Sequence, residues 1–190
     1  MTSYSWPAAP SMPATADAPV AVLLPGAGYT VQAPLLYWCA TLLVERGWHV
    51  QAVDWTVGEA ARADPLEFVE QAVTEAFAAS PASGRRLLVA KSFGTFALPW
   101  ARRSGIAGVW LTPMLTEEPV RRALAAATPA DLAIGGDRDP FWQPDTVAGT
   151  AARLVTEPGA NHALTLPGDW QGSIRLQERV LATVSGHLTG

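Results

Sequence analysis

The sequence predicts an α/β fold: an open, mainly parallel sheet of about six strands with helices on both faces. Three observations predict it. Short, continuously apolar runs recur along the chain, as expected of strands buried on both faces. Segments with apolar residues at helical spacing separate them, and such alternation argues for a parallel sheet. Finally, hydrophobic residues make up 49% and charged residues 16% of the 190 residues, which supports a buried core on the scale of one domain.

Residues 1–18 read as a flexible arm, rich in Pro and Ala, before a single domain over 19–190. Pro7, Pro10, Pro13 and Pro19 prevent regular helix there. The first strand is Val20–Leu24, broken by Pro25-Gly26-Ala27-Gly28. A helix follows from about Pro34, with proline in its first turn and Gly47 as its stop. His49–Trp55 is the second strand. The next helix has a clear start, with Asp64 as N-cap, Pro65 at the first position and Glu67 three residues after the cap. Arg86–Ala90 is the third strand. The helix after it, about Phe93–Arg103, contains Pro99 and is expected to kink there. Ala107–Leu111, Asp131–Ile134 and Arg153–Thr156 complete the strands. Helices are expected from Glu118 to Ala127, from Asp145 to Ala152, and from Ser173 to His187, the last with Ile174, Leu181, Val184 and Leu188 on one face.

Right-handed crossovers place the C-terminal ends of parallel strands on one edge of the sheet, where ligands bind. At that edge the third strand ends in Ala90-Lys91-Ser92-Phe93-Gly94. The order is strand, sharp turn, helix, with Ser92 at the apex. Ser92 has a bland reading as a helix N-cap and a chemical one as an exposed nucleophile. The segment resembles the nucleophile elbow of α/β-hydrolases, G-x-S-x-G, with Ala90 in place of the first glycine.

Acyl transfer at Ser92 requires a base, a carboxylate to orient it, and donors for an oxyanion. The chain has three histidines. His49 opens a strand and so lies at the opposite edge, and His187 lies near the end of the last helix. His162 follows the sixth strand on the correct edge. Asp137 and Asp139 both follow the fifth strand. The resemblance, through Gly136-Asp137-Arg138-Asp139-Pro140, favours Asp139 and keeps Asp137 in reserve. It also implies that the N–H groups of Ala27 and Phe93 form the oxyanion hole, although Pro25 stands where the family has histidine. Ser92, Asp139 and His162 occur in the family's chain order. The resemblance runs from Val20 to Leu188 and implies a minimal α/β-hydrolase, lacking the family's first two strands and any sizeable lid.

Tyr29, Phe93, Pro113, Met114, Phe141 and Trp142 follow strand ends and are the expected pocket wall, with Tyr29, Met114, Phe141 and Trp142 as substrate-binding residues. Lys91, the sole lysine, is expected to be solvated. The implied activity is hydrolysis of an ester or thioester of a small, apolar acyl substrate without cofactor or metal. The alternative is a non-catalytic binding or scaffold protein on the same fold. The net charge of −4 offers no electrostatic case for nucleic acid. The lone Cys39 reads as core, no run of apolar residues suggests a membrane span, and no signal peptide is evident, so a cytoplasmic location is expected. The sequence does not determine an oligomeric state.

Overall fold

The computed structural model describes residues 1–7 and 18–188. Its strands are β1 (Thr2–Ser5), β2 (Val20–Leu24), β3 (His49–Asp54), β4 (Arg86–Lys91), β5 (Ala107–Leu111), β6 (Leu132–Gly136) and β7 (Arg153–Glu157). They form one sheet in the order β1-β3-β2-β4-β5-β6-β7. The six strands from β2 onward pair in parallel, and β1 lies antiparallel on β3. The strands predicted from apolar runs are all present, with ends displaced by no more than about two residues.

The helices are α1 (Pro34–Glu45), α2 (Glu59–Ala63), α3 (Pro65–Ala78), α4 (Leu98–Ser104), α5 (Glu118–Ala125) and α6 (Trp170–His187). Two apolar clusters lie on the two faces of the sheet. One packs α3, α4 and α5 against residues such as Val22, Leu88 and Trp110. The other packs α1 and α6 against Leu23, Val89 and Ile134. Alternate residues of β2 and β4 thus enter opposite clusters, as the period of two requires. Asp64 caps α3, its Oδ1 accepting from the Glu67 N–H at 3.0 Å.

Four expectations are corrected. Residues 2–5 are a strand, not part of an arm: backbone pairing with β3 uses that strand's outer edge, and the Trp6 N–H donates to the Val50 carbonyl at 2.8 Å. Thr2–Ser5 precede the first proline, so nothing prevents their joining a ladder. The rest of the expected arm, residues 8–17, lies outside the described residues. Pro99 does not kink a long helix. Residues Ser92–Ala97 form a 3₁₀ helix, and Pro99 sits in the first turn of α4, where its missing N–H costs nothing. The expected Asp145–Ala152 helix is a short 3₁₀ turn at Pro144–Val147. In α6 the buried stripe is Gly172, Leu176, Val180 and Val184, and Ile174 is exposed. The helix begins earlier than expected because Asp169 caps it, accepting from the Gly172 N–H at 2.7 Å.

Cys39 is fully buried in α1, and burial pushes its thiol up to about 12. It is an inert core residue.

Candidate active site

Ser92 leaves β4 with φ +51°, a left-handed angle that costs a non-glycine residue energy. The turn is held by its own polar groups: Thr95 Oγ1 donates to the Ser92 carbonyl at 2.6 Å and accepts from the Met114 N–H at 3.3 Å. Gly94 is required because the helix and the end of the neighbouring strand approach closely. A Cβ there would lie 2.7 Å from the Leu24 carbonyl oxygen and 2.8 Å from that of Pro25. The 3₁₀ helix therefore rides directly on the end of β2. Gly94→Ala is expected to lower the unfolding free energy by about 1–3 kcal/mol, because the obstructing atoms are backbone. A urea midpoint equal to that of the parent would show that β2 yields freely.

His162 and Asp139, the expected base and acid, follow β7 and β6. Gly135 and Gly136 end β6 and face opposite ways. A Cβ on Gly136 would lie 2.0 Å from the Ala160 carbonyl oxygen, so its absence lets the 158–165 loop cross the strand end. Arg138 N–H then donates to that carbonyl at 3.0 Å. Asn161 shapes the loop, its Oδ1 accepting from the N–H groups of Ala163 and Thr165 and from the Thr165 hydroxyl. Leu164 completes the loop at φ +54°.

These constraints bring three predicted residues together. His162 Nδ1 lies 2.7 Å from Asp139 Oδ2, and His162 Nε2 lies 2.8 Å from Ser92 Oγ. Asp139 is buried, and its Oδ1 accepts from the Phe141 N–H at 3.0 Å. A carboxylate only accepts, so Nδ1 carries the imidazole proton. Nε2 is then the acceptor for the Ser92 hydroxyl. Asp137 does not meet the imidazole: its Oδ1 accepts from the Gly159 N–H at 2.7 Å. His49 opens β3, and His187 Nε2 lies 2.9 Å from the Ala130 carbonyl. Neither approaches Ser92.

Ala27 and Ser92 line one cleft of about 560 Å³ with Tyr29 and His162. The Phe93 N–H belongs to the first turn of the 3₁₀ helix, where backbone donors lack intrahelical acceptors. The orientation of the Ala27 N–H is fixed by Trp55, a residue the sequence reading did not single out. Its indole N–H donates to the Gly26 carbonyl at 3.0 Å, in the buried interior. In a planar trans peptide the Ala27 N–H must point the other way, away from Trp55. The signal in the sequence was a tryptophan one residue past the end of β3, but no spacing rule ties it to the loop after β2.

The expected pocket wall divides. Tyr29 lines the cleft, with its hydroxyl accepting from the Leu35 N–H at 2.9 Å. Met114 Sδ lies 3.9 Å from Ser92 Oγ. The Phe141 ring packs edge-on against the His162 ring, with centroids 4.9 Å apart. Trp142 is not a wall residue. It is buried, its ring occupies the space a side chain at Gly135 would need, and its indole N–H donates to Thr156 Oγ1 at 2.9 Å. The Phe93 ring is likewise core, packed with Trp55, Phe68 and Phe96. Pro113 is buried as well.

Lys91 is the largest departure. It is 1% exposed, not solvated. Its Nζ donates to Thr112 Oγ1 at 3.0 Å and to the His162 carbonyl at 2.9 Å, and lies 4.7 Å from the centre of the Tyr29 ring. Burial pushes its ammonium down to about 8, against the opposing pull of the Asp139 carboxylate. Alternation along β4 places Lys91 on the face opposite Ala90, toward β5 and the base loop. Thr112, which receives it, has φ +47°.

Among the described residues no cluster of three or more His, Cys, Asp or Glu side chains could hold a metal ion, and no helix is long and apolar enough to cross a membrane.

No family model matches the chain, and no curated protein matches it in sequence. Solved structures do match. A lid-less α/β serine hydrolase from Xanthomonas campestris superposes with a TM-score of 0.61 at 19% identity, over 98% of this chain and 85% of that one. Est1E from Butyrivibrio proteoclasticus, solved with ferulic acid, matches with a TM-score of 0.63 at 16% identity, over 97% and 95% of the two chains. The type II thioesterase BorB of the borrelidin biosynthetic cluster matches with a TM-score of 0.60 at 17% identity, over 98% and 96%. The chain has the α/β-hydrolase fold.

Proposed function

We propose that this α/β-hydrolase fold carries a serine hydrolase acting on an ester or thioester through Ser92, His162 and Asp139. The observation that carries the reading is the continuous hydrogen-bonded path from Ser92 Oγ through both nitrogens of His162 to the buried Asp139 carboxylate. The structural neighbours that hold ferulic acid or act as a thioesterase support the reaction class.

His162 Nε2 takes the hydroxyl proton as Ser92 Oγ attacks the carbonyl carbon. The carbonyl oxygen gains the negative charge, and the N–H groups of Ala27 and Phe93 stabilise it. Collapse expels the alcohol or thiol, which receives the proton from Nε2, and leaves an acyl-serine. Water, deprotonated by the same nitrogen, then attacks the acyl carbon and returns Ser92 to its free form. Asp139 keeps the imidazole in the tautomer that each step needs. General base catalysis supplies about 10²–10⁴-fold and each oxyanion donor about 10²–10³-fold.

The wild-type protein is expected to be labelled by a fluorophosphonate and to hydrolyse short 4-nitrophenyl esters. Ser92→Ala, folded by circular dichroism, is expected to do neither. A folded wild-type protein that neither labels nor turns over any ester would overturn the proposal. It would favour the alternative of a non-catalytic binding or scaffold protein, which Pro25, in place of the histidine of the resemblance, specifically recommends.

A further inference from the structure

The cleft beside Ser92 is lined by two cations, Lys91 and Arg138, and by no carboxylate. This is a local inversion in a chain whose net charge is −4. The two cations are held differently. Lys91 is buried with its donors committed to Thr112, His162 and the Tyr29 ring. It contributes charge to the cleft without a free hydrogen bond. Arg138 is exposed, and among the described residues its guanidinium makes no hydrogen bond or ion pair. Its neighbours do not neutralise it. Asp137 turns to the Gly159 N–H, and Asp139 is engaged by His162 and Phe141.

A third donor adjoins them. Asn161 commits its Oδ1 to three partners, so the amide is oriented, and its Nδ2 makes no hydrogen bond among the described residues. Backbone hydrogen bonds set where the main chain of both residues lies at the rim. Arg138 donates its own N–H to the Ala160 carbonyl, and the Asn161 N–H donates to the Thr165 carbonyl at 3.0 Å. A planar guanidinium with five donors matches a carboxylate.

We propose that the substrate is an ester or thioester carrying a carboxylate a few bonds from the scissile carbonyl, with Arg138 as the residue that binds that carboxylate. This rests on the serine hydrolase reading and replaces the apolar acyl group expected from the sequence with an anionic one. A charge-assisted pair of this kind, partly screened at an open rim, is expected to favour the anionic substrate by about ten-fold.

The test compares 4-nitrophenyl hydrogen glutarate with 4-nitrophenyl pentanoate, which differs in lacking the carboxylate. Assays run at pH 7, where Lys91 is protonated. The ratio of kcat/KM, glutarate over pentanoate, is expected to fall about ten-fold in Arg138→Gln and to be largely restored in Arg138→Lys. A fall of less than three-fold in Arg138→Gln would overturn the proposal. Binding is read separately by titrating glutarate into Ser92→Ala and into Ser92→Ala/Arg138→Gln, neither of which needs to turn over. Glutarate binding weakened three-fold or more by the second substitution supports the anion site, even if no fluorophosphonate labelling is seen and the hydrolase reading fails. Labelling of the wild type with no effect of Arg138→Gln on either the ratio or glutarate binding overturns the anion site and leaves the hydrolase reading standing.

Discussion

Asp139→Asn is expected to lower kcat for ester hydrolysis about 10³–10⁴-fold, with little change in KM. The size of the effect follows from a constraint on how the asparagine can sit. The Phe141 N–H requires an acceptor where Oδ1 now lies, at 3.0 Å. The amide oxygen must therefore occupy that position, and the NH₂ group must face His162 Nδ1. An NH₂ group can only donate, so Nδ1 becomes the acceptor and the imidazole proton moves to Nε2. Nε2 then has no lone pair for the Ser92 hydroxyl. Asp137→Asn has no such consequence, because its oxygen can still accept from the Gly159 N–H. It is expected to alter kcat by no more than about three-fold. The pair is measured by steady-state hydrolysis of one short 4-nitrophenyl ester. If Asp137→Asn proved the more damaging variant, the assignment of the acid would be reversed.

The sequence made the strands legible because parallel strands buried on both faces are apolar through their length, as are β2, β5 and the Leu87–Ala90 stretch of β4. It made the positions of Ser92 and His162 legible because a strand's C-terminal end lies on one known edge. The choice between Asp137 and Asp139 was not legible from position. Both follow β6, and what separates them is which carboxylate the Gly136–Ala160 contact leaves facing the imidazole. Trp142 was misplaced for a related reason. Its position after a strand end suggested a wall, but the missing side chain of Gly135 opened a slot in the core beneath it. β1 was hidden because four polar and aromatic residues at an edge carry no apolar run, and their burial pattern is mostly exposed. Ile174 was grouped on one face with Val184, yet it is exposed while Val184 is buried, because the buried stripe of α6 runs through Gly172, Leu176 and Val180. Lys91 was read from its charge alone, and burial of a charged group depends on partners from β5 and the base loop that lie far away in sequence.

Lys91→Met is the variant whose effects on stability and on rate are expected to separate. In the folded protein burial depresses the ammonium from 10.5 to about 8. The folded state therefore releases this proton first as pH rises. Between about 8 and 10.5 the unfolded chain binds one more proton than the folded one, and stability rises with pH. Below 8 the charged form is present in both states, and the cost of its burial is borne in full. The shift from 10.5 to 8 corresponds to about 3 kcal/mol. Methionine fills similar volume without a charge and has no such dependence. The difference in unfolding free energy, wild type minus variant, is thus expected to grow by about 2 kcal/mol between pH 7.5 and pH 10, measured by urea denaturation at both values. A flat difference would show that the hydrogen bonds to Thr112 and His162 fully offset the desolvation. Activity should move against the variant at every pH. Among the described residues Lys91 is the only side chain that ties the His162 carbonyl to the strand bearing Ser92, and methionine cannot donate. A base loop displaced by about 1 Å costs roughly 10²-fold in kcat, so Lys91→Met is expected to lose about that much while remaining folded. Wild-type kcat in the variant would mean that Asp139 and the Asn161 turn hold the imidazole unaided. A buried lysine beside the nucleophile would then have no part in positioning the base.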